Sequence, residues 1–263
     1  MIQPSQVIKV VKVGGAILEN EMALANFLTA VNASGEAVVI VHGGGSAVDQ
    51  QLHQAGLQSA KIDGQRVTSV EQIDIIIGAL AGTANKKLVA AAQKAGIHAV
   101  GLSLADGPLC SLEPVPSLGL VGEPKPETAA NSAGQALIHG LLAQGFCPVI
   151  SSIGIDDQFQ LRNVNADYAA AAMAMLLQAE LFLFSDVPAI LDLQQNPINE
   201  LSLVEARILL TESFIQGGMR VKLKAAILAA ERARRSTAIA GWADAQTVIA
   251  LLRGERLGTH IRV

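Results

Sequence analysis

Short runs that are apolar at nearly every position alternate with helix-periodic segments along almost the whole chain. The clearest runs are residues 7–15, 37–45, 98–104, 147–154 and 180–187. Uninterrupted apolar runs of this length are typical of parallel strands that are covered on both faces. The alternation therefore predicts an α/β protein, a three-layer αβα sandwich with a central, mainly parallel open sheet.

The composition excludes several other classes of protein. Of the 263 residues, 51% are hydrophobic and 3% are aromatic, which excludes a disordered chain, a collagen and a disulfide miniprotein. The formal net charge of −4 argues against a nucleic-acid-binding protein, which usually carries a basic excess. Cys110 and Cys147 form no close pair and fit no metal-binding spacing. Because residues 1–7 also lack signal-peptide character, we expect a cytoplasmic protein.

Three segments carry more specific structural expectations. The most apolar stretch, residues 168–184, is interrupted by Gln178 and Glu180 and predicts a buried helix followed by a strand, not a membrane span. Residues 106–127 contain prolines, which exclude a central strand and predict small surface hairpins. We also expect a long helix over residues 70–95 and an edge strand at the end of the chain.

A lysine inside the first apolar run is the first candidate for function. Lys12 lies two residues before Gly14 and Gly15. A lysine in a buried strand is costly unless it is paired or points into a polar cleft. Glycines at the strand end let backbone N–H groups approach an anion. The alternative is a lysine at the edge of the protein followed by a simple turn.

The second apolar run ends in three glycines that include Gly44 and Gly45, and Ser46 is placed to cap the helix that follows. A helix that begins at a bare loop is suited to binding an anion. The run lacks the Lys-Ser/Thr of a P-loop and the spaced glycines of a dinucleotide site. We expect His42 to pack or to orient this loop and not to transfer protons.

Three further polar residues have both a structural and a functional interpretation. Arg66 follows a predicted hairpin, where an arginine can clamp a carboxylate or be a simple surface charge. Asn163 and Asn165 bracket the start of a predicted helix, and Asp167 falls in its first turn. Helix capping alone would explain these residues. A functional role requires Asp167 to meet lysines from elsewhere in the chain.

Residues 217–226 place Arg220, Lys222 and Lys224 near the start of a helix. Cations there oppose the helix dipole by roughly 0.3–1 kcal/mol each. Such a pattern favours a bound anion such as a polyphosphate, although at least one of the three is expected to be merely solvated. Glycine loops and cations without a general base favour phosphoryl transfer to a carboxylate, which is already ionised at neutral pH because its pKa is about 4.

In their order and spacing these motifs resemble the amino-acid kinase family, over nearly the whole chain. Gly14–Gly15 and the sequence from Arg66 to Thr68 favour the branch that acts on N-acetylglutamate. The motifs are KVGG (12–15), VIVHGGG (39–45), GQRVT (64–68), QIDIIIGALAGTANKKL (72–88), VISSIG (149–154), NVNAD (163–167), FSDVPAIL (184–191) and GGMRVKLKAA (217–226).

The resemblance implies ATP-dependent phosphorylation of the γ-carboxylate of N-acetyl-L-glutamate, which gives an acyl phosphate in arginine biosynthesis. It implies two lobes, residues 1–177 for acceptor binding and dimerisation and residues 178–263 for ATP binding. Lys12 and Lys222 would neutralise the migrating phosphoryl group from two sides, and Asp167 would hold both lysines in place.

The resemblance also implies the substrate contacts. Arg66 would clamp the α-carboxylate of the acceptor, and Asn163 would bond the same molecule. Mg²⁺ would be held mainly by phosphates and water and not by protein ligands. Backbone N–H groups toward the phosphates and the acceptor would come from Gly14, Gly15, Gly44 and Gly45. The nucleotide site would be lined by Asp186, Val187, Pro188, Ala189, Ile190, Leu191, Phe214, Ile215 and Gln216.

The chain departs from the family pattern in two respects. Arg220 stands where relatives usually carry an apolar residue, and Lys224 adds a further charge. Arginine-inhibited members carry an extra N-terminal helix that links dimers into hexamers, whereas only about six residues precede the first predicted strand here. The resemblance therefore implies a homodimer, joined through the helix around residues 73–88, without arginine feedback.

Three alternatives remain open at this stage. The first is a kinase for another acylated acidic amino acid, such as a carrier-linked aminoadipate. The second is a nucleotide sensor without catalytic activity, which the intact Lys12, Asp167 and Lys222 argue against. The third is a dinucleotide oxidoreductase, which the missing spaced-glycine fingerprint disfavours.

Overall fold

An eight-stranded sheet runs through the middle of the computed structural model, which describes residues 7–263. The expectation that the first residues lack signal-peptide character concerns residues 1–6, which lie outside this range, and residue 7. The strands are β1 (Lys9–Val13), β2 (Val38–His42), β3 (Lys61–Ile62), β4 (Gln65–Arg66), β5 (Ala99–Ser103), β6 (Leu112–Pro114), β7 (Val121–Pro124), β8 (Cys147–Ser151), β9 (Ile153–Ile155), β10 (Leu161–Val164), β11 (Glu180–Ser185), β12 (Ile190–Leu191), β13 (Pro197–Ile198), β14 (Glu200–Ser202), β15 (Thr237–Gly241) and β16 (Thr259–Arg262).

The helices lie between these strands in the order that the alternation predicts. They are α1 (Ala16–Glu19), α2 (Glu21–Ser34), α3 (Gly45–Gln54), α4 (Val70–Ile77), α5 (Asn85–Lys94), α6 (Ser132–Ala143), α7 (Ala166–Leu177), α8 (Leu203–Thr211), α9 (Gly217–Ala233) and α10 (Ala245–Leu252). Two short 3₁₀ turns, Pro116–Leu118 and Pro126–Ala130, join the smaller elements.

The large sheet has the strand order β14-β16-β15-β11-β1-β2-β8-β5. Its strands are parallel except at the junction of β15 and β16, which run antiparallel. Buried side chains of α2, α5 and α10 cover one face, and those of α6, α7, α8 and α9 cover the other. The predicted fold class, a three-layer αβα arrangement around a mainly parallel sheet, is confirmed.

Helix α7 lies in the centre of one helical layer, and every residue from Asp167 to Leu177 is buried. Strand β11 follows it, so residues 168–184 form the predicted buried helix and strand. A different run, Val70–Lys94, has the length and hydropathy of a membrane span by composition alone, with 33% of its most apolar window buried. Core helices of globular proteins can have the same composition.

A second, smaller sheet has the order β6-β7-β10-β9. The prediction that the prolines of residues 106–127 exclude a central strand is wrong, because β7 has a partner on each side. Pro124 is the last residue of β7, and the ladder to β10 uses Val121 and Gly122 instead. The missing proline N–H therefore interrupts no bond to β10. The predicted hairpin between β6 and β7 is present.

Three other predictions need correction. The last strand, β16, is not an edge strand, because β14 lies outside it. The apolar run 147–154 is two strands, since β8 ends at Ser151 and β9 belongs to the smaller sheet. Asn163 lies within β10 and not at the start of a helix, and Asn165 is the N-cap of α7.

The long helix predicted over residues 70–95 is present but is not uniformly α-helical. Its central part, Gly78–Ala84, is a π-helix between α4 and α5. π-Helical turns are rare and occur often at functional sites. This segment packs beside the loop that follows β2, as described below.

Candidate active site

Asp167 lies between two lysines that come from distant parts of the chain. Its Oδ1 atom is 3.0 Å from Nζ of Lys12 and 3.0 Å from Nζ of Lys222. All three side chains are buried, with 9–12% of their surface exposed. The structure therefore brings together the three residues that the sequence suggested for phosphoryl transfer.

Three elements place these residues at the carboxyl edge of the large sheet. Lys12 is the penultimate residue of β1, which has β2 and β11 as parallel neighbours. Asp167 is in the first turn of α7, where the N-cap Asn165 accepts a hydrogen bond from its backbone N–H. Lys222 is on α9, which packs against α7. Ligands of open α/β sheets bind at this edge.

The charges of the three residues depend on one another. Burial alone would raise the pKa of Asp167, but the positive charges of Lys12 and Lys222 outweigh it and hold that pKa below its usual value. Burial lowers the pKa of Lys222, and the charge of Lys12 lowers it further, against the opposing effect of Asp167. The carboxylate is therefore ionised at neutral pH, and the lysines carry more positive charge than it neutralises.

A cleft of about 210 Å³ opens beside Lys12. Seven of the predicted site residues line it, and they come from β1, β4, β10 and the loops after β1 and β2. These residues are Lys12, Gly14, Gly15, Gly44, Gly45, Arg66 and Asn163. Asp167 and Lys222 do not line the cleft but adjoin it through Lys12.

The two glycine loops approach the cleft with bare backbone. A Cβ atom at Gly14 would lie 2.9 Å from Nζ of Lys12, so the ammonium group lies directly over this glycine. Gly15 has a φ of 64°, which favours glycine, and it begins α1. Helix α3 begins at Gly45 with Gly44 as its N-cap and no side-chain cap. The prediction that Ser46 caps this helix is wrong, and the helix start is bare.

The guanidinium group of Arg66 is held above α3. Its Nη1 atom is 2.6 Å from Oδ1 of Asp49 and also bonds the hydroxyl of Ser59. Its Nη2 atom donates to the carbonyl of Gly45 at 3.2 Å. Arg66 is therefore held in a fixed position in the wall of the cleft and is not a simple surface charge.

Asn163 is buried on β10, and its Nδ2 donates to the hydroxyl of Thr68 at 3.1 Å. Both residues belong to motifs that carry the family resemblance. The bond ties the smaller sheet to the segment after the β3–β4 hairpin. Asp63 and Gly64 form the turn of that hairpin with φ values of 48° and 81°, as the Asp-Gly signal predicts.

Comparison with known proteins identifies the family of the chain. The model of the Amino acid kinase family matches residues 7–241, which include both lysines and Asp167. This chain belongs to the Amino acid kinase family. The family expected from the motifs is confirmed.

Individual members of the Amino acid kinase family are similar to the chain over nearly its full length. A protein named acetylglutamate kinase from Shewanella halifaxensis is 44% identical over 259 residues, 97% of this chain and 94% of its own. One of the same name from Aeromonas hydrophila is 45% identical over 97% of this chain and 98% of its own. The solved structure of smu.665 from Streptococcus mutans UA159 shares the fold, with a TM-score of 0.75, 22% identity and coverage of 97% and 98%.

The segments expected to bind nucleotide in this kinase family do not line the cleft. The second of them leads into Gly217, whose carbonyl carbon would lie 3.2 Å from a Cβ atom at the cleft residue Gly64. The loop after β11 passes close to β15, because a Cβ atom at Gly241 would lie 3.2 Å from Cα of Pro188. Ile190 and Ile215 are buried in one hydrophobic cluster, and Phe214 packs against it. Because these apolar side chains face the core, the parts of the two segments that a ligand can contact are the backbone and the exposed side chains. Their role as the nucleotide site stays a prediction.

The two departures from the family pattern differ in their surroundings. Lys224 is exposed on α9, so at least one of the three cations near the start of this helix is solvated, as expected. Arg220 is partly buried, whereas Lys222 is fully drawn into the contact with Asp167. The additional charges therefore leave the position of Lys222 intact.

Sequence reasoning does not identify several residues of the cleft. Asp49 occupies an exposed helix face, where it looks like an ordinary surface acid, and only the fold shows that it faces Arg66. Lys61, Gln65 and Ser152 also line the cleft. The buried Oε1 atom of Gln65 has no hydrogen-bond partner within residues 7–263. The available signal was their place in or near the motifs named above, since Gln65 lies within GQRVT and Ser152 within VISSIG.

Proposed function

We propose that this protein transfers the γ-phosphoryl group of ATP to the γ-carboxylate of N-acetyl-L-glutamate, in arginine biosynthesis. The observation that supports it most directly is the contact of Lys12 and Lys222 with one carboxylate oxygen of Asp167, beside a cleft of about 210 Å³. The names of the relatives that are 44–45% identical supply the acceptor.

The lysines stabilise the transferring group by charge. Phosphoryl transfer needs little covalent help from a protein, so catalysis consists of positioning and of neutralising oxygens in the transition state. Lys12 acts from the side of β1 and Lys222 from the side of α9, on either side of the migrating phosphorus. Asp167 fixes the distance between them. No general base is required, because the acceptor carboxylate is already ionised.

The acceptor occupies the cleft that Arg66 and Asn163 line. Arg66 binds the α-carboxylate, for which its planar guanidinium is suited, and Asn163 bonds the same molecule. Gly44 and Gly45 offer backbone N–H groups from the bare start of α3. Gly14 and Gly15 offer theirs to the phosphates of ATP.

The nucleotide binds over the C-terminal part of the chain, residues 178–263, and the acceptor over residues 1–177. The two segments around Pro188 and Ile215 hold the adenosine. Mg²⁺ enters with ATP as part of the substrate, bound to phosphate oxygens and water. Residues 7–263 contain no group of three or more His, Cys, Asp or Glu side chains that could hold a metal ion.

The protein acts as a homodimer in the cytoplasm. The helical run Val70–Lys94 supports the dimer, because its apolar side chains Ile75, Ile77 and Ala81 are only partly buried in a single chain. Cys110 and Cys147 are both free and buried, and burial raises the pKa of each thiol to about 12, which suits a reducing compartment. Light scattering after size-exclusion chromatography tests the dimer, and a hexamer would contradict it.

The assay is coupled ADP release with a panel of acceptors. N-Acetyl-L-glutamate should be the preferred acceptor over L-glutamate, uridylate and N-acetyl-L-aminoadipate. Trapping with hydroxylamine should detect an acyl phosphate as the product. Activity on glutamate or uridylate without activity on N-acetylglutamate would overturn the proposal, and preference for the aminoadipate derivative would reassign the acceptor.

A further inference from the structure

Asn85 is fully buried at the point where the π-helix ends and α5 begins. Its Nδ2 atom lies 2.9 Å from the carbonyl of Val149 and 3.0 Å from Nε2 of His42. Its Oδ1 atom accepts from Nζ of Lys86 at 2.9 Å. Asn85 therefore connects α5 with β8 and with the last residue of β2.

Gly101 makes room for this amide. A Cβ atom at position 101 would overlap Oδ1 of Asn85 and would come within 2.5 Å of Nζ of Lys86. Packing of the Asn85 amide therefore explains why β5 has a glycine at this position. The buried amide is a specified feature of the fold, and none of the roles proposed above uses it.

His42 carries the connection onward to the glycine loop. Its Nδ1 atom is 2.7 Å from the carbonyl oxygen of Gly43. A carbonyl can only accept, so Nδ1 holds the proton and Nε2 accepts from the Asn85 amide. Burial lowers the pKa of His42 to about 4, so the ring is neutral near pH 7 and holds this one tautomer.

The Gly43 carbonyl shares its peptide plane with the N–H of Gly44. The described peptide bonds are all trans, and a trans peptide points its C=O and N–H in opposite directions. The bond from His42 therefore turns the Gly44 N–H away from the buried ring. Gly44 itself lines the cleft, whereas His42 does not.

The π-helix also packs against Gly44. A Cβ atom at Gly44 would lie 3.1 Å from Cδ2 of Leu80 and 3.2 Å from Cβ of Ala84, both in the π-helical segment. The π-helix, which leads directly into Asn85, thus also limits how closely the glycine loop can approach the helix. One helix supplies both the packing and the hydrogen bond that define the loop.

We propose that Asn85 is a positioning residue, which acts through His42 to aim the Gly44 N–H at the acceptor and the transferring phosphoryl group. This inference rests on the proposed kinase function. It assigns a purpose to the QIDIIIGALAGTANKKL segment (72–88) beyond the dimer contact.

The first test is Asn85→Ala. The kcat should fall about 10- to 100-fold, less than the roughly 10²- to 10³-fold loss on removing an oriented donor outright, because the Gly44 N–H is still present but is no longer aimed. The affinity for ADP, followed by fluorescence of the single tryptophan Trp242 beside the loop after β11, should change less than about twofold. Leu88→Ala is the matched control, because Leu88 is buried on the same helix and takes no part in the side-chain hydrogen bonds of Asn85 and His42. It should lower Tm but keep kcat within about twofold.

The second test, Asn85→Asp, separates positioning from mere destabilisation. A carboxylate would accept from Nε2 of His42 and raise the pKa of the ring from about 4. Below the raised pKa the ring keeps its Nδ1–H bond to Gly43. Above it the remaining proton stays on Nε2, and Nδ1 faces the carbonyl without a proton. The kcat of this variant should therefore fall as pH rises, in a step that is absent from the native protein.

The other groups around His42 do not produce such a step. The charge of Lys86 on α5 lowers the pKa of His42 in the native protein. The paired positions of the neighbouring strands are Val13 on β1 and Ser151 on β8, which do not titrate in the assay range. An equal loss of kcat at every pH in Asn85→Asp would overturn the proposal.

A third measurement does not depend on activity. Nitrogen-15 NMR of the native protein should show the Nδ1–H tautomer of His42, and Asn85→Ala should shift the backbone amide signal of Gly44 while Leu88→Ala leaves it in place. An unchanged Gly44 signal in Asn85→Ala would overturn the positioning role even if the native protein proved inactive as a kinase. An inactive native protein with a shifted signal would reject only the proposed function.

Discussion

Lys12 and Lys222, which are far apart in the chain, both lie 3.0 Å from the same oxygen of one aspartate. A single carboxylate cannot neutralise two ammonium groups, so the pair keeps a net positive charge in a buried position. Such a charge is costly without a ligand and favourable with one. The arrangement is therefore suited to an anion whose charge grows during a reaction.

Replacing either lysine should affect catalysis more than binding. In Lys12→Met and Lys222→Met, kcat should fall about 10²- to 10³-fold, because each ammonium group neutralises charge that develops in the transition state. The KM values should change much less. Lys224→Met is the control, since Lys224 is exposed on the same helix as Lys222. Steady-state kinetics with both substrates measure these effects. An unchanged kcat in both variants would refute the catalytic role of the two lysines.

Asp167→Asn should destabilise the protein. The change removes the only carboxylate that contacts Lys12 and Lys222 in the described part of the chain. Breaking a buried ion pair by removing one partner costs about 3–5 kcal/mol of unfolding free energy. Urea unfolding at neutral pH measures this loss.

A second variant checks the cause of that loss. Asp167→Asn combined with Lys222→Met removes the buried uncompensated charge together with the carboxylate. The double variant should be more stable than Asp167→Asn alone, and MgATP should stabilise Asp167→Asn by supplying negative charge. A double variant that is less stable than both single variants would contradict the electrostatic explanation.

The local parts of the site could be predicted from the sequence, because they depend on neighbours in the chain. A lysine in an apolar strand is unusual, and this marks Lys12 and the glycines after it. Asp167 stands in the first turn of a helix, where an acidic residue is favourable. The topology then decides which of them meet, and the α/β alternation places all of them at one sheet edge. Recognition of the family pattern, and not local physics, supplied the pairing with Lys222.

Other features leave no local signal. The π-helix Gly78–Ala84 continues directly from α4 into α5, so the sequence predicts one long helix over this run. Strand β14 has three residues, too few for a recognisable pattern, so the sequence predicts β16 as the edge strand of the sheet. Asp49 looks like any exposed helix acid until the fold brings Arg66 to it. Such contacts depend on tertiary structure alone.

Arg66→Lys should weaken acceptor binding specifically. Lysine is a point charge and cannot reproduce the planar set of donors that now contacts Asp49 and Gly45. Loss of a charged hydrogen bond corresponds to about 1.5–3 kcal/mol, so KM for N-acetyl-L-glutamate should rise about 10- to 100-fold. N-Acetyl-4-aminobutyrate, which lacks the α-carboxylate, provides the control.

That control acceptor should react equally poorly with the native protein and with Arg66→Lys. A large additional loss on this acceptor would mean that Arg66 serves the cleft structurally and does not bind the α-carboxylate. Asp49→Asn completes the comparison. It frees Arg66 from its present ion pair and leaves the guanidinium in place, so acceptor binding should be affected less than by Arg66→Lys.

The activity should decline at alkaline pH because of Lys222. Burial, together with the charge of Lys12, lowers the pKa of Lys222, and the protonated form is the one that stabilises the phosphoryl group. Rising pH removes this proton, so kcat/KM for MgATP should fall with a midpoint below the usual lysine value of 10.5. Lys222→Arg should lack this decline, since a guanidinium stays protonated throughout. Circular dichroism at each pH separates loss of activity from unfolding, and an identical decline in the folded Lys222→Arg variant would assign the titration to another group.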